Sequence, residues 1–344
     1  MKYAIEVFAA LLIMQLVLPA SVIQTHNDSI ENTYVSDTKS IRTQDDISPT
    51  AEETAAENVS IADEGIVIKL SRDGEVKEMP LEEYLIGVVF AEMPASFEPE
   101  ALKAQAVAAR SYTMYKMLTQ ALALHENGAH ICTDYAHCSA YISFEDALEK
   151  YAEEYLTPLW EKVAACVKAT SGEIMTYQGQ PINAVFHAMS YKATESSSDV
   201  WGGDSLYLRS VASPEDEESG IDGLITVSKF TGAELAKLLK DNGYKGDLSD
   251  DPSNWLGECT ATPSGRVESL EIGTAKLTGT RIRELFSLRS AKFELAYDNG
   301  FIFTVYGYGH GVGMSQQGAN LYAKRGMKYR EILAHYYTGA DIVG

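Results

Sequence analysis

Leu81, Leu85, Val88 and Val89 recur at helical spacing behind Pro80, and the pattern predicts an amphipathic helix that Pro94 ends. Glu92 falls on the apolar stripe of that helix, three, four and seven residues after Val89, Val88 and Leu85. A carboxyl walled by apolar side chains has its pKa raised and stays partly protonated near neutrality, which suits a general acid. The same position suits a helix-end glutamate that turns to solvent or caps a neighbouring backbone, and periodicity alone leaves both readings standing. Pro99 starts a second helix through EALKAQAVAARSYTMYKMLTQALAL. Its Ala104, Ala106, Ala108 and Ala109 permit close backbone approach, while Lys103 and Arg110, and likewise Gln105 and Tyr112, stand one heptad apart on shared faces. Such a helix beside a buried carboxyl reads as the floor of a polar cleft.

Further on the period shortens. GEIMTY and INAVFHA read as short strands near turns at Ser171-Gly172 and Gln178-Gly179, and His187, Ser190, Thr194 and Glu195 crowd a loop that ends at Trp201-Gly202-Gly203. Thr231 and Glu234 form a capping box ahead of an apolar helix. VESLEIGT and AKFELAYD alternate as strands, with Arg289 and Ser290 at a helix-to-strand corner between them. Gly307, Gly309, Gly311 and Gly313 alternate around His310, which lets the backbone bend tightly beside a ligand before a helix whose start holds Ser315 and Gln316. No Gly-Lys-Ser/Thr ending accompanies this run, which argues against a phosphate loop. The residues leave three roles open for His310: metal ligand, substrate donor or satisfied structural histidine. The fold class expected is α+β, with mixed helices and antiparallel sheets in two lobes around a substrate cleft, preceded by an N-terminal membrane anchor.

The anchor is read from Phe8 to Leu18, apolar apart from Gln15, with Lys2 ahead and no further Lys or Arg before Lys39. Residues 1–23 are therefore expected to be a signal-anchor or transmembrane segment that leaves the bulk of the chain outside the cytoplasm. Residues 24–64, rich in Asn, Ser, Thr, Asp and Glu, read as a disordered acidic tether. At about 3.3 Å per residue it would reach on the order of 100 Å. Residues 65–344 remain for the folded part of the chain. The net charge of -21 argues against a nucleic-acid partner, since phosphate contacts need clustered Lys and Arg. Cys132 and Cys138 lie in HENGAHICTDYAHC among His125, His130 and His137. Thiolate and imidazole at short spacing suit tetrahedral zinc, and a Cys132–Cys138 disulfide is the competing reading outside the cytoplasm. Cys166 and Cys259 read as lone buried thiols.

EYLIGVVFAEMPASFEPEALKAQAVAARSY resembles the opening motif of the stage II sporulation protein D family, bacterial lytic transglycosylases of peptidoglycan that also include enhancers of cell-wall amidases. FHAMSYKATE with the later VWGG is similar to the family's FHxxSGGxTE…VWGG element, with Tyr191-Lys192 where Gly-Gly is frequent. TRIRELFSLRS resembles its Arg-x-x-Leu…Leu-Arg-Ser segment, and GHGVGMSQQGA its GHGVGMSQxGA motif, so the resemblance spans residues 65–344. It implies Glu92 as the catalytic acid/base. It also implies that Lys103, Gln105, Arg110, Tyr112, His187, Ser190, Thr194, Arg289, Ser290, His310, Ser315 and Gln316 serve the substrate. One zinc ion is implied on Cys132, Cys138 and a histidine, His125 in first place and His130 in second.

The activity implied is cleavage of MurNAc–GlcNAc bonds in peptide-stripped glycan strands to 1,6-anhydro-MurNAc ends, during forespore engulfment, with a sporulation amidase as partner. The place implied is the cell membrane, with the catalytic domain outside the cytoplasm. The rival function is a non-catalytic amidase enhancer or peptidoglycan-binding protein built on the same domain. A hydrolytic glycosidase would need a second carboxylate, Glu195 or Asp199.

Overall fold

A computed structural model describes residues 65–119, 128–134 and 137–344. The expected anchor (1–23), the tether (24–64) and His125 lie outside the described residues. No helix among the described residues is long and apolar enough to cross a membrane.

The described chain opens with a hairpin in which β1 (Val67–Arg72) and β2 (Glu75–Pro80) pair antiparallel. Asp73 and Gly74 between them have φ of 52° and 84°, a two-residue turn whose twist matches that of the strands. The other edge of β1 pairs in parallel with β3 (Ile131–Cys132), setting Ser71 against Cys132. α1 (Leu81–Glu92) follows at once, with Pro80 at its N-cap, one position ahead of the first helical place that the pattern predicts. Leu81, Tyr84, Leu85, Gly87, Val88 and Val89 are all buried, a face broader than the predicted stripe.

α2 (Pro99–Thr119) is the central helix, and every residue from 101 to 114 except Lys103 is buried. Its alanines let other helices approach closely. α3 (Phe144–Leu148) is short, whereas α4 (Glu153–Lys168), α8 (Gln316–Lys324) and α9 (Tyr329–Tyr336) pack against α2 together with α1. β4 (Ile174–Tyr177) lies between β5 (Gln180–Pro181) and β14 (Asp341–Val343). Only β6 (Phe186–His187) forms from the INAVFHA stretch. Ahead of it the backbone bonds back on itself, Ala184 N to Ile182 O and Val185 N to Asn183 O, which removes those groups from any ladder.

A second hydrophobic cluster holds Leu235, Trp255, Ile272, Phe286, Phe293, Phe301 and Phe303. It is built from α6 (Gly232–Asp241), α7 (Gly279–Leu285) and two antiparallel sheets. One joins β8 (Leu256–Ala261), β9 (Val267–Ile272) and β10 (Ala275–Thr278); the other joins β7 (Ile225–Phe230), β11 (Phe293–Tyr297) and β12 (Phe301–Tyr306). The capping box forms as predicted, Thr231 N reaching Glu234 Oε2 at 2.7 Å. Cys259, expected to be buried, is exposed, because β8 is an edge strand that turns most of its residues outward.

The glycine run stitches distant parts of the chain together. β13 (Met314–Ser315) pairs in parallel with β6, setting Ser315 against His187. Gly307, Gly309, Gly311 and Gly313 all have positive φ, from 72° to 115°. A Cβ on Gly309 would strike that of His187 and one on Gly313 the Val185 carbonyl, so only glycine allows this approach.

Candidate functional site

Glu92 ends α1, where Met93 leaves helical geometry and bonds back to Val89 O at 3.0 Å. The residue is half-buried, and its Oε1 accepts a hydrogen bond from Ala140 N at 2.7 Å. A glycine in α1 makes that contact possible. Any side chain on Gly87 would collide with the Ile142 carbonyl and the Tyr141 ring, so the 139–142 segment lies directly on the helix and carries Ala140 to the carboxyl. Burial pushes the Glu92 pKa up to about 7, against the opposing effects of the Ala140 N–H and the Gln316 amide. Tyr84 and Tyr112 stand near enough to feel its charge, and burial keeps both phenols neutral.

Beside them the described residues bring Cys132, His137 and Cys138 together, their ligand atoms all within 4.8 Å of one another. His137 Nδ1 is 3.4 Å from Cys132 Sγ and 3.5 Å from Cys138 Sγ, and no disulfide joins the two sulfurs. A tight turn does this: His137 N and Cys138 N both bond to Asp134 O, at 3.0 and 2.7 Å, which folds the pair back onto β3. Two sulfurs and an imidazole could hold a metal ion. Burial pushes the Cys138 thiol up to about 11, so a metal bound there would have to displace its proton. His130, second choice as ligand, instead accepts from Lys69 N at 3.0 Å. The family resemblance points to His125, ahead of the cysteines and outside the described residues. His137 was legible only in its adjacency to Cys138.

The other wall comes from the 187–195 segment and the glycine run. His187 Nδ1 lies 3.1 Å from Val312 O, which can only accept, so this nitrogen carries the proton and Nε2 accepts from Ser190 Oγ at 2.7 Å. Burial, then the neighbouring His310, hold the His187 imidazole neutral. His310 Nδ1 accepts from Val312 N at 3.1 Å, and burial with Arg283 and Arg266 nearby pulls its pKa down to about 4. Its ring lies 5.6 Å from that of His187 and 5.1 Å from that of Trp201, which is exposed. Below Ser190 sits Glu215, fully buried, whose Oε1 accepts from Ser190 N at 2.9 Å and from the Ser315 hydroxyl. Sequence reasoning missed Glu215, because PEDEES reads as one more acidic surface patch. Gln316, also buried, brings this wall to Glu92.

Most of the remaining predicted residues have partners within the protein, and Ser290 bridges to Gly309 of the glycine run. Arg110 is fully buried and binds both oxygens of Glu82, at 2.8 and 2.9 Å, with further bonds to the Glu173 and Val167 carbonyls. It joins α1 to α2 and presents nothing to a ligand. Gln105 is fully buried on the same helix, and Lys103 pairs with Glu100 at 2.9 Å over the Tyr329 ring. The polar floor expected of α2 is thus largely packed interior, and Tyr112 is near enough to Glu92 to feel its charge. Thr194 is buried with Oγ1 on the Val211 backbone, and Ser290 accepts from Lys292 N at 3.0 Å. Arg289 lies 4.2 Å over the Tyr308 ring. Of the two candidate second carboxylates, Glu195 is held by Thr262 and Ser264, and Asp199 is exposed.

Comparison with known proteins adds to this geometry. A model of the stage II sporulation protein family matches residues 71–177. The stage II sporulation protein D of Bacillus subtilis (strain 168) is 38% identical over 288 residues, which cover 83% of this chain and 81% of that protein. The protein of the same name from Bacillus amyloliquefaciens is 38% identical over 269 residues, 78% of this chain and 75% of its own. An amidase enhancer of Bacillus subtilis (strain 168) is 25% identical over 307 residues, 75% of this chain but 40% of that protein.

Proposed function

The chain belongs to the stage II sporulation protein D family, and from that premise we propose that it is a membrane-anchored lytic transglycosylase acting on peptide-stripped peptidoglycan in forespore engulfment. The observation that carries this reading is the Glu92 carboxyl, raised to about 7 by burial yet kept in reach of a backbone donor. A carboxyl poised near neutrality both gives and takes a proton. Glu92 protonates the glycosidic oxygen between MurNAc and GlcNAc, and the C1–O bond breaks. The 6-hydroxyl of the same MurNAc attacks its anomeric carbon, and its proton passes to Glu92, which regenerates the acid and leaves a 1,6-anhydro end. The nucleophile comes from the substrate, so one carboxyl suffices where hydrolysis uses two. Neutral His187 and Ser190, with Ser315 and Gln316, offer hydrogen-bonding groups on the facing wall.

Cys132, Cys138 and His137 suit a zinc ion. When bound, the metal supplies a fixed charge that holds the thiolates and anchors the turn leading to Ala140. His125 remains available as a further ligand by its place in the sequence. Residues 1–23 would anchor the chain with the domain outside the cytoplasm, and a sporulation amidase would supply bare glycan.

Mass spectrometry of products from peptide-free glycan strands, treated with the full chain or with Glu92→Gln, tests the proposal. Anhydromuramyl ends from the wild type and none from the variant are expected. Reducing ends would indicate hydrolysis. No cleavage, together with stimulation of an amidase, would favour the enhancer role named for the relative at 25% identity.

A further inference from the structure

A groove of about 230 Å³ opens between the C-terminal end of α2 and the hairpin of β4 and β5. Tyr115 and Leu118 line it from α2, Tyr177, Gln180 and Pro181 from the hairpin, and Tyr207 from the loop beyond Trp201. None of these belongs to the site built around Glu92. The walls are fixed: Gln178 and Gly179, with φ of 52° and 76°, close the hairpin in a tight turn, and the Tyr207 hydroxyl accepts from Asn183 N at 3.2 Å. The Tyr177 and Tyr207 rings stand 5.6 Å apart at a tilt of 48°, and Leu118, 59% exposed, forms part of the rim.

The lining says what fits. No residue in it carries a formal charge, on a chain whose net charge is -21, so the groove suits a neutral ligand. It joins ring and aliphatic surface to phenolic hydroxyls and one amide. That pattern matches a pyranose, whose C–H faces are apolar and whose rim carries hydroxyl groups. The groove also continues from the acid. Tyr115 follows Tyr112 by about one helical turn, and it stands close enough to Tyr112 and to Tyr207 to influence both phenols, while Tyr112 in turn feels Glu92. We propose that the groove is a distal subsite for an uncharged N-acetylglucosamine of the glycan strand, giving the protein its grip on strands longer than the two sugars at the scissile bond. MurNAc carries a lactyl carboxylate and would find no cation in this lining. The proposal rests on the glycan-cleaving reading of Glu92.

Calorimetric titration of the full chain with N-acetylchitohexaose, a neutral run of the same sugar, tests it. Tyr115→Ala removes a ring from the lining and Leu118→Glu sets a charge on the exposed rim, each checked for an unchanged melting temperature. Both are expected to weaken hexaose binding about 10-fold, and Tyr115→Phe to keep the wild-type affinity. On peptide-free glycan strands Tyr115→Ala and Leu118→Glu should raise KM about 10-fold with kcat unchanged, the split of a contact remote from the reacting bond. Wild-type affinity in either folded variant, a loss that falls on kcat alone, or a wild type that cleaves strands without binding the hexaose would overturn the subsite and leave Glu92 untouched. Intact sugar binding with lost stimulation of an amidase would assign the groove to a protein partner instead. A wild type that neither binds the hexaose nor cleaves strands would overturn the glycan reading as well.

Discussion

Glu92 shows how one residue trades stability for reactivity. Its carboxyl has a pKa near 7 in the fold, against 4.5 for the ordinary group. A raised carboxyl pKa means that the unfolded chain ionises more easily, so the residue destabilises the fold as pH rises from 4.5 to about 7 and fully above that. Below 4.5 the penalty is absent. Glu92→Gln is expected to stabilise the protein at pH 8 by on the order of 1–3 kcal/mol in urea denaturation, with the gain gone at pH 4. An equal gain at both pH values would mean that the carboxyl is not perturbed. The acid form declines about tenfold per unit above the pKa, so the cleavage rate should fall on the alkaline side of about pH 7.

At the scale of elements, the site depends on what two helices allow. Gly87 lets the 139–142 segment rest on α1, which is how Ala140 meets a carboxyl 48 positions away. Gly87→Ala pushes that segment off, at about 1–3 kcal/mol for an overpacked contact, and should lower cleavage at least tenfold by removing the Glu92 donor. Full activity in a folded Gly87→Ala protein would refute this. Arg110 works differently, because its buried guanidinium pairs with the partly exposed Glu82 and ties α1 to α2. Glu82→Gln weakens the hold on a buried guanidinium, and a loss of about 1–3 kcal/mol is expected in thermal or urea unfolding. Oligosaccharide affinity of the remaining folded protein should not change, since Arg110 faces no cleft.

At the scale of the whole molecule, distant stretches of chain meet at one place. Glu92 ends α1, Gln316 arrives 224 positions later, and the candidate metal-binding trio stands between β1 and the segment that carries Ala140. Zinc binding should therefore act on fold and site together. Zinc at 100 to 1,000 times its Kd is expected to stabilise the chain by about 3–4 kcal/mol, and a chelator should remove both that gain and the glycan cleavage. Cys132→Ser should abolish the response, whereas Cys259→Ser, on the exposed edge strand, should keep it. A melting temperature indifferent to zinc and chelator alike would remove the metal from the account.

The sequence by itself determined most of the elements and the place of Glu92 on an apolar helix face. Proline and glycine punctuation, the Thr231–Glu234 capping box and the apolar stripe around Glu92 are local facts, and local geometry honours them. Its motifs carried the family as well. Only the tertiary structure decided which polar residues share a site. Periodicity states which face of α2 a residue occupies but not what covers that face, so Arg110 and Gln105 looked like cleft residues until α1 and α4 closed over them. Glu215, His137 and Gln316 took their places through the turn at Asp134 and the glycine run against the 185–195 segment. Contacts between residues a hundred or more positions apart are set by packing, and no short window of sequence contains them.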